Sequence, residues 1–259
     1  PGIKSFFYTR KVAQFDALDK WYAMNEFCMG EHGGTHLDAP YHFYKYGWKV
    51  GDIPLLRLLA HAVVIDMSEI VNRLGPTTLL QETDLIDWER IYGPLPHNCV
   101  VIIRFGWSER YKNRQSYLGI NGTNMIFPGI AADAAQWLAN SKKVVGVGVD
   151  TASVDCGSSV KFETHRILSE HNIYGIENLK LPENLPARGF NIIVMPLKLK
   201  DGTGAPARVL AVPELPMSAD EMCGKFDYSA NSVPWYGHTS VVLSSLLLLG
   251  MYAINCFTL

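Results

Sequence analysis

The sequence predicts an α/β fold: a single domain built on a mixed sheet. Three observations carry that expectation. Short apolar runs of strand type alternate with segments of helical period. Residues 144–149, Val-Val-Gly-Val-Gly-Val, are apolar without interruption, as in strands covered on both faces. The chain has 259 residues, 48% hydrophobic and 19% charged, which is enough for one full core.

The elements follow in order. Strands are expected at 62–66, 99–105, 144–149, 191–196 and 209–212, each rich in Val, Ile and Ala. Helices are expected at 83–92 and 131–140. The first opens on Thr83 and Asp84, a cap and an acidic first turn. The second is alanine-rich and carries Trp137. Residues 164–179 read as a short amphipathic helix, a turn and a strand. Residues 198–207 contain Gly202 and Gly204 and read as a loop or hairpin.

The chemistry concentrates in Gly30-Glu31-His32-Gly33-Gly34-Thr35-His36-Leu37-Asp38-Ala39-Pro40-Tyr41-His42. Imidazole and carboxylate are the common ligands of zinc and similar divalent ions. Gly33-Gly34 disfavours a helix, so a turn followed by an extended run at 35–38 is expected. In an extended run His36 and Asp38 share one face. Pro40 ends that run and returns His42 toward the same space. A lone histidine is ordinarily structural or solvated. Four metal-type side chains within eleven positions, set among Gly, Thr and Pro, form a metal-site pattern.

A second group lies downstream. His165 opens the 164–179 segment, Glu177 closes it, and His171 lies between. The residues alone leave His165 and Glu177 open between ligand and non-ligand. Asp150 and Asp155 follow the apolar run 144–149, where function collects at strand ends. They fit ligands, acceptors for a metal-bound histidine, or caps.

The first group resembles the signature of the metal-dependent cyclase/kynurenine formamidase family, His-x-Gly-Thr-His-x-Asp-x-Pro-x-His. The resemblance extends over roughly 1–215. It includes Arg104-Phe105-Gly106-Trp107, Phe127-Pro128-Gly129, the stretch from Gly148 to Asp155, and Gly204-Ala205-Pro206-Ala207-Arg208. It implies a swivelling β/α/β fold, often dimeric. It implies one zinc on His32, His36 and Asp38 and a second on Asp38, His165 and Glu177, with Glu177 able to reach both. Manganese is a possible substitute. His42 would be the general acid/base. Mononuclear manganese relatives that hydrolyse isatin differ at the glutamate position, so Glu177 favours the formamidase branch. The formamidases place a substrate-stacking aromatic near the N-terminus, a role open here to Phe6, Phe7 or Tyr8.

The expected activity is zinc-dependent hydrolysis of an aromatic amide, N-formyl-L-kynurenine, to formate and a free aromatic amine. The alternative is another cyclic or acyl amide, such as isatin. The rival from another class is a membrane-displayed metal-binding protein without turnover. A general base at His42 weighs against it, since a pure metal binder needs none. There is no Gly-x-Ser-x-Gly elbow, so a serine esterase mechanism is not indicated. Net charge is −2, and there is no Walker loop, C-x-x-C ribbon or basic-aromatic patch, so nucleic acid is not an expected partner. Phe43 and Trp48 are expected to pack.

Domain organisation is read as a catalytic domain at 1–215, a linker at 216–238 and an apolar tail at 239–259. The tail has 21 residues without a charge, long enough for a bilayer at ~20 residues. Small residues at Ser229-Ala230-Asn231-Ser232 and a polar spacer precede it, as in a GPI-attachment signal. A retained membrane anchor and a packed helix are the other readings. An anchor implies a signal peptide upstream of Pro1 and an extracellular surface location, with the cytoplasm as the alternative. Asn121-Gly122-Thr123 is a glycosylation sequon.

Overall fold

The structure is a computed structural model that describes residues 4–214 and the backbone of Tyr252–Cys256. The chain opens with a hairpin, β1 (Phe7–Phe15) and β2 (Trp21–Cys28). Next come β3 (His36–Asp38), a turn of helix α1 (Leu55–Leu58), β4 (Leu59–Asp66) and α2 (Ser68–Leu74). A small ladder, β5 (Leu79–Leu80) with β7 (Gly129–Ile130), frames α3 (Glu82–Tyr92), β6 (Cys99–Arg104) and α4 (Arg114–Leu118). The second half holds α5 (Ala132–Asn140), β8 (Val144–Val149), α6 (Glu163–Glu170), β9 (Tyr174–Glu177) and β10 (Leu179–Lys180). It ends in β11 (Phe190–Pro196), β12 (Gly204–Pro213) and β13 (Tyr252–Cys256).

The expected single α/β domain with a mixed sheet is what forms. The main sheet runs β10-β13-β12-β11-β4-β6-β8-β9-β3, and β3 also pairs with β12. That second pairing closes seven strands into a ring. β4, β6, β8 and β9 are mutually parallel, and the remaining pairs are antiparallel. Closure removes the open edge that a sheet would otherwise present.

Alternation along each strand makes two cores. Val63, Ile65, Val101, Ile103, Val147 and Val149 face outward and pack with Leu85, Trp88 and Leu138 of the helices. Ala62, Val64, Val100, Ile102, Ile176, Ile192 and Ala205 face inward and fill the ring. Tyr174 occupies the interior beside Gly146, where an added Cβ would lie 2.3 Å from the ring, so β8 carries glycine there. The unbroken apolar pattern of 144–149 reflects burial on both faces.

Helix α3 starts one residue before its expected position. Gln81 is its cap, and the Asp84 carboxylate accepts the Gln81 N–H at 2.8 Å in a capping box. The loop expected at 198–207 is the hairpin between β11 and β12, with Gly204–Ala207 inside β12. Trp48 packs on the inner core as expected, under the Arg57 guanidinium. Asp150 is a structural acceptor: its carboxylate takes the Phe105 N–H at 2.9 Å and the Trp107 N–H at 2.8 Å, shaping the turn after β6.

The linker at 216–238 and most of the tail at 239–259 lie outside the described residues. Within the tail, the backbone of Tyr252–Cys256 pairs with β12 and β10 in the main sheet. Among the described residues no helix is long and apolar enough to cross a membrane. Cys28, Cys99 and Cys156 are free thiols.

Asp150→Ala strands two buried N–H donors and should cost about 2–5 kcal/mol, since each unsatisfied buried donor costs roughly 1–3 kcal/mol. Urea unfolding checks this; an unchanged midpoint would mean that the turn does not depend on the carboxylate.

Candidate metal centre

Strand β3 supplies the first candidate ligands because it is the closing strand. Its neighbours hold it in register, His36 opposite Glu177 on β9 and Asp38 opposite Gly204 on β12. Leu37 is fully buried in the inner core, so alternation sends His36 and Asp38 together to the other face. Ahead of β3, Gly34 takes a positive φ of 64° in the expected turn. Its carbonyl accepts the His36 Nδ1 proton at 2.9 Å, leaving Nε2 to face the cluster.

Nε2 of His36 lies 3.1 Å from Asp38 Oδ1 and 3.4 Å from Glu177 Oε2. Nε2 of His165 lies 3.3 Å from Asp38 Oδ2 and 3.1 Å from Glu177 Oε1. Nδ1 of His32 lies 2.6 Å from Asp38 Oδ1. Two groups of three donors result: His32, His36 and Asp38, and Asp38, His165 and Glu177. Asp38 belongs to both. Asp155 resolves as the acceptor behind His165, 2.6 Å from Nδ1, and it also caps the first turn of α6. His171 is not part of the cluster; it is exposed and bonds the Ile167 carbonyl.

The donors fit a divalent cation. His36 Nε2 is buried and has no hydrogen-bond partner, although it points between two carboxylates. Such an orphan is costly unless something fills its lone-pair direction. The charges agree. Burial pushes the His36 imidazole down, but Asp38 and Glu177 overcome it and hold the group up to about 10. His165 is likewise held well above its ordinary value against burial, by Asp155, Asp38 and Glu177. Burial raises Asp38, yet His36, His165 and His32 outweigh it and keep the carboxyl well below the usual range. Without metal, protons supply the positive charge that an ion would bring.

His42 stands apart from this set. Its ring stacks on His32 at 4.1 Å between centroids. Burial, together with His32 and His165, lowers its pKa against the opposing pull of Asp38 and Glu177. It is therefore a neutral imidazole beside the candidate ligands. Phe43 stacks on His165 at 4.3 Å and meets Phe162 at 5.4 Å, so Phe43 lies at the site instead of simply packing in the core. Phe6 and Tyr8 meet each other at 5.0 Å by the hairpin arm.

Two contributors were not legible in the sequence. Thr203 Oγ1 sits 2.9 Å from His32 Nε2, and Glu31 accepts from Thr203. Thr203 is 171 residues from His32, and nothing local marks it.

The Cyclase family model matches residues 4–156, more than half of the chain. The chain belongs to this family. It is 33% identical to isatin hydrolase of Roseibium aggregatum over 78% of this chain and 79% of that protein. It is 30% identical to kynurenine formamidase of Paracidovorax citrulli over 71% and 78%. Isatin hydrolase A of Ralstonia solanacearum superposes with a TM-score of 0.74 at 34% identity, covering 82% of each chain. An isatin hydrolase bound to the product analogue thioisatinate superposes at 0.73 with 32% identity. The chain is a hydrolase of this family with potential metal-binding residues in its buried cluster.

Removing metal should make stability pH-dependent. His36 ordinarily titrates at 6.5 and is raised to about 10 by folding. Its contribution in the metal-free protein is complete below 6.5 and declines as pH rises toward about 10. Melting curves of chelator-treated protein should fall across that window, while metal-loaded protein stays flatter. Equal metal-free stability at both ends would contradict the charge argument.

Proposed function

We propose that this chain is a metal-dependent amide hydrolase acting on a C–N bond beside an aromatic ring. The observation that carries the reading is a neutral, partly buried His42 stacked against two donor triads that share Asp38. One zinc would be held by His32, His36 and Asp38, and the other by Asp38, His165 and Glu177; manganese suits the same nitrogen and oxygen donors. Divalent ions held there would lower the pKa of a water toward ~7 and polarise the amide oxygen.

The chain's own groups do the rest. Asp155 and the Gly34 carbonyl lock the His165 and His36 rings through their outer nitrogens, so the inner nitrogens face the cluster without rearrangement. His42 carries no hydrogen-bonding carboxylate of its own among the contacts described, and its neutral imidazole can accept a proton and return it to the departing amine nitrogen. Phe43 and Phe162 offer an aromatic wall beside His165 for the substrate ring. The rival of a metal-binding protein without turnover leaves the placement of His42 unexplained.

N-formyl-L-kynurenine is the first substrate reading, supported by Glu177 completing the second triad. Isatin, a cyclic aryl amide, is the second. It is supported by the 33% and 34% identity to isatin hydrolases, against 30% to the formamidase. A homodimer is proposed on the family resemblance.

Both substrates should be assayed side by side, with and without chelator, beside His42→Ala. We expect chelator-sensitive turnover of one of them, reduced ~10²–10⁴-fold in the variant, the range for loss of a general acid/base. Faster isatin opening would select the second reading. Turnover of neither would return the binding-protein rival.

A further inference from the structure

The three histidines of the centre are held in three different ways. His36 donates to a backbone carbonyl and His165 to the Asp155 carboxylate. The outer nitrogen of His32, Nε2, instead meets a hydroxyl, Thr203 Oγ1, at 2.9 Å. Behind that hydroxyl is Glu31. Its Oε2 accepts the Thr203 N–H at 2.8 Å, the Gly204 N–H at 3.3 Å and the Thr203 hydroxyl at 2.5 Å.

The direction of each bond follows from the donor inventory. Backbone N–H groups only donate, so the Glu31 oxygen that receives two of them is an acceptor. The hydroxyl must therefore give its single proton to Glu31. Its lone pairs then face His32, and the atom opposite them must be an N–H. Nε2 of His32 is thus a protonated nitrogen, and Nδ1 is the one left to bind a cation; with no ion bound, its 2.6 Å contact with Asp38 Oδ1 is made by a second ring proton, which a metal would replace. His36 has the reverse assignment, with Nδ1 protonated and Nε2 inward.

Packing supports the same placement independently. One face of the His32 ring is covered by His42. Gly204 lies so close that an added Cβ would sit 2.5 Å from His32 Cε1 and 2.8 Å from Nδ1. Both residues lie against the ring and restrict its movement.

We propose that Glu31 and Thr203 are positioning residues that fix the tautomer of His32, present its Nδ1 to the metal, and set the affinity of the His32/His36/Asp38 subsite separately from the Asp38/His165/Glu177 subsite. The proposal rests on the metal-centre reading above. In effect each subsite has its own carboxylate behind a histidine: Glu31 through Thr203 for one, Asp155 directly for the other.

The test is zinc titration of the full chain against a chromophoric chelator, giving two binding constants. Thr203→Val and Glu31→Ala should each weaken one ion ~10–100-fold, the usual cost of losing such a partner, and leave the other within ~3-fold. Thr203→Ser keeps the hydroxyl and should restore wild-type affinities. Asp155→Asn should weaken the other ion. Unchanged affinities in Thr203→Val, or a serine variant as weak as the valine one, would overturn the proposal. Wild-type protein that binds no zinc would overturn the metal reading together with it; wild-type protein that binds two, with indifferent variants, would overturn the relay alone. Should the variants not fold, nitrogen-15 spectra of the zinc-loaded wild type decide: a proton on His32 Nε2 is expected, and a proton on Nδ1 sinks the assignment.

Discussion

Everything in this molecule depends on the double pairing of β3. That three-residue strand is hydrogen-bonded to β9 on one side and β12 on the other, and it closes the ring. Closure fixes which residue stands opposite which. His36 faces Glu177 across one ladder, and Asp38 faces Gly204 across the other. Side chains separated by more than a hundred positions are thereby set in contact without a flexible loop to adjust them. The strand's period of two does the final sorting, sending Leu37 into the core and its neighbours into the cluster.

The closure also explains why the site is electrostatically demanding. Two carboxylates, Asp38 and Glu177, are buried within reach of each other. Isolated buried carboxylates would protonate, because burial penalises charge. Here the imidazoles hold both groups low, and the carboxylates in turn hold His36 and His165 protonated when no ion is present. The arrangement is a cation site in its charge balance as much as in its donor types. His42 escapes this balance because it stacks on a ligand without joining the carboxylates, which is what a base near neutrality requires.

The sequence was informative where chemistry is local. The spacing His32, His36, Asp38, His42 is read directly, because one turn and one short strand carry all four residues. Strands β4, β6 and β8 were equally legible, being apolar stretches rich in Val and Ile. Ring closure left no mark, since a strand of three residues pairing on both sides looks like any short extended stretch. His165 and Glu177 were ambiguous on their own residues for the same reason: register across β9 and β3, not local spacing, brings them to the cluster. Glu31 and Thr203 were missed because a threonine in a Gly-rich hairpin has ordinary reasons to be there. The apolar tail is ambiguous by composition, since hydrophobic content alone does not distinguish a membrane segment from a strand that joins a sheet. The N-terminal hairpin is anticipated chiefly as a source of aromatics; nearly all of its residues are exposed, so no apolar alternation marks two paired strands.

Asp38 is proposed to be shared by two cations. A crystal grown with zinc and measured by anomalous scattering at the zinc edge tests it directly. The account predicts two peaks, one on either side of the Asp38 carboxylate, the first among His32 and His36 and the second between His165 and Glu177. A single peak, or peaks that leave Asp38 unligated, would contradict it.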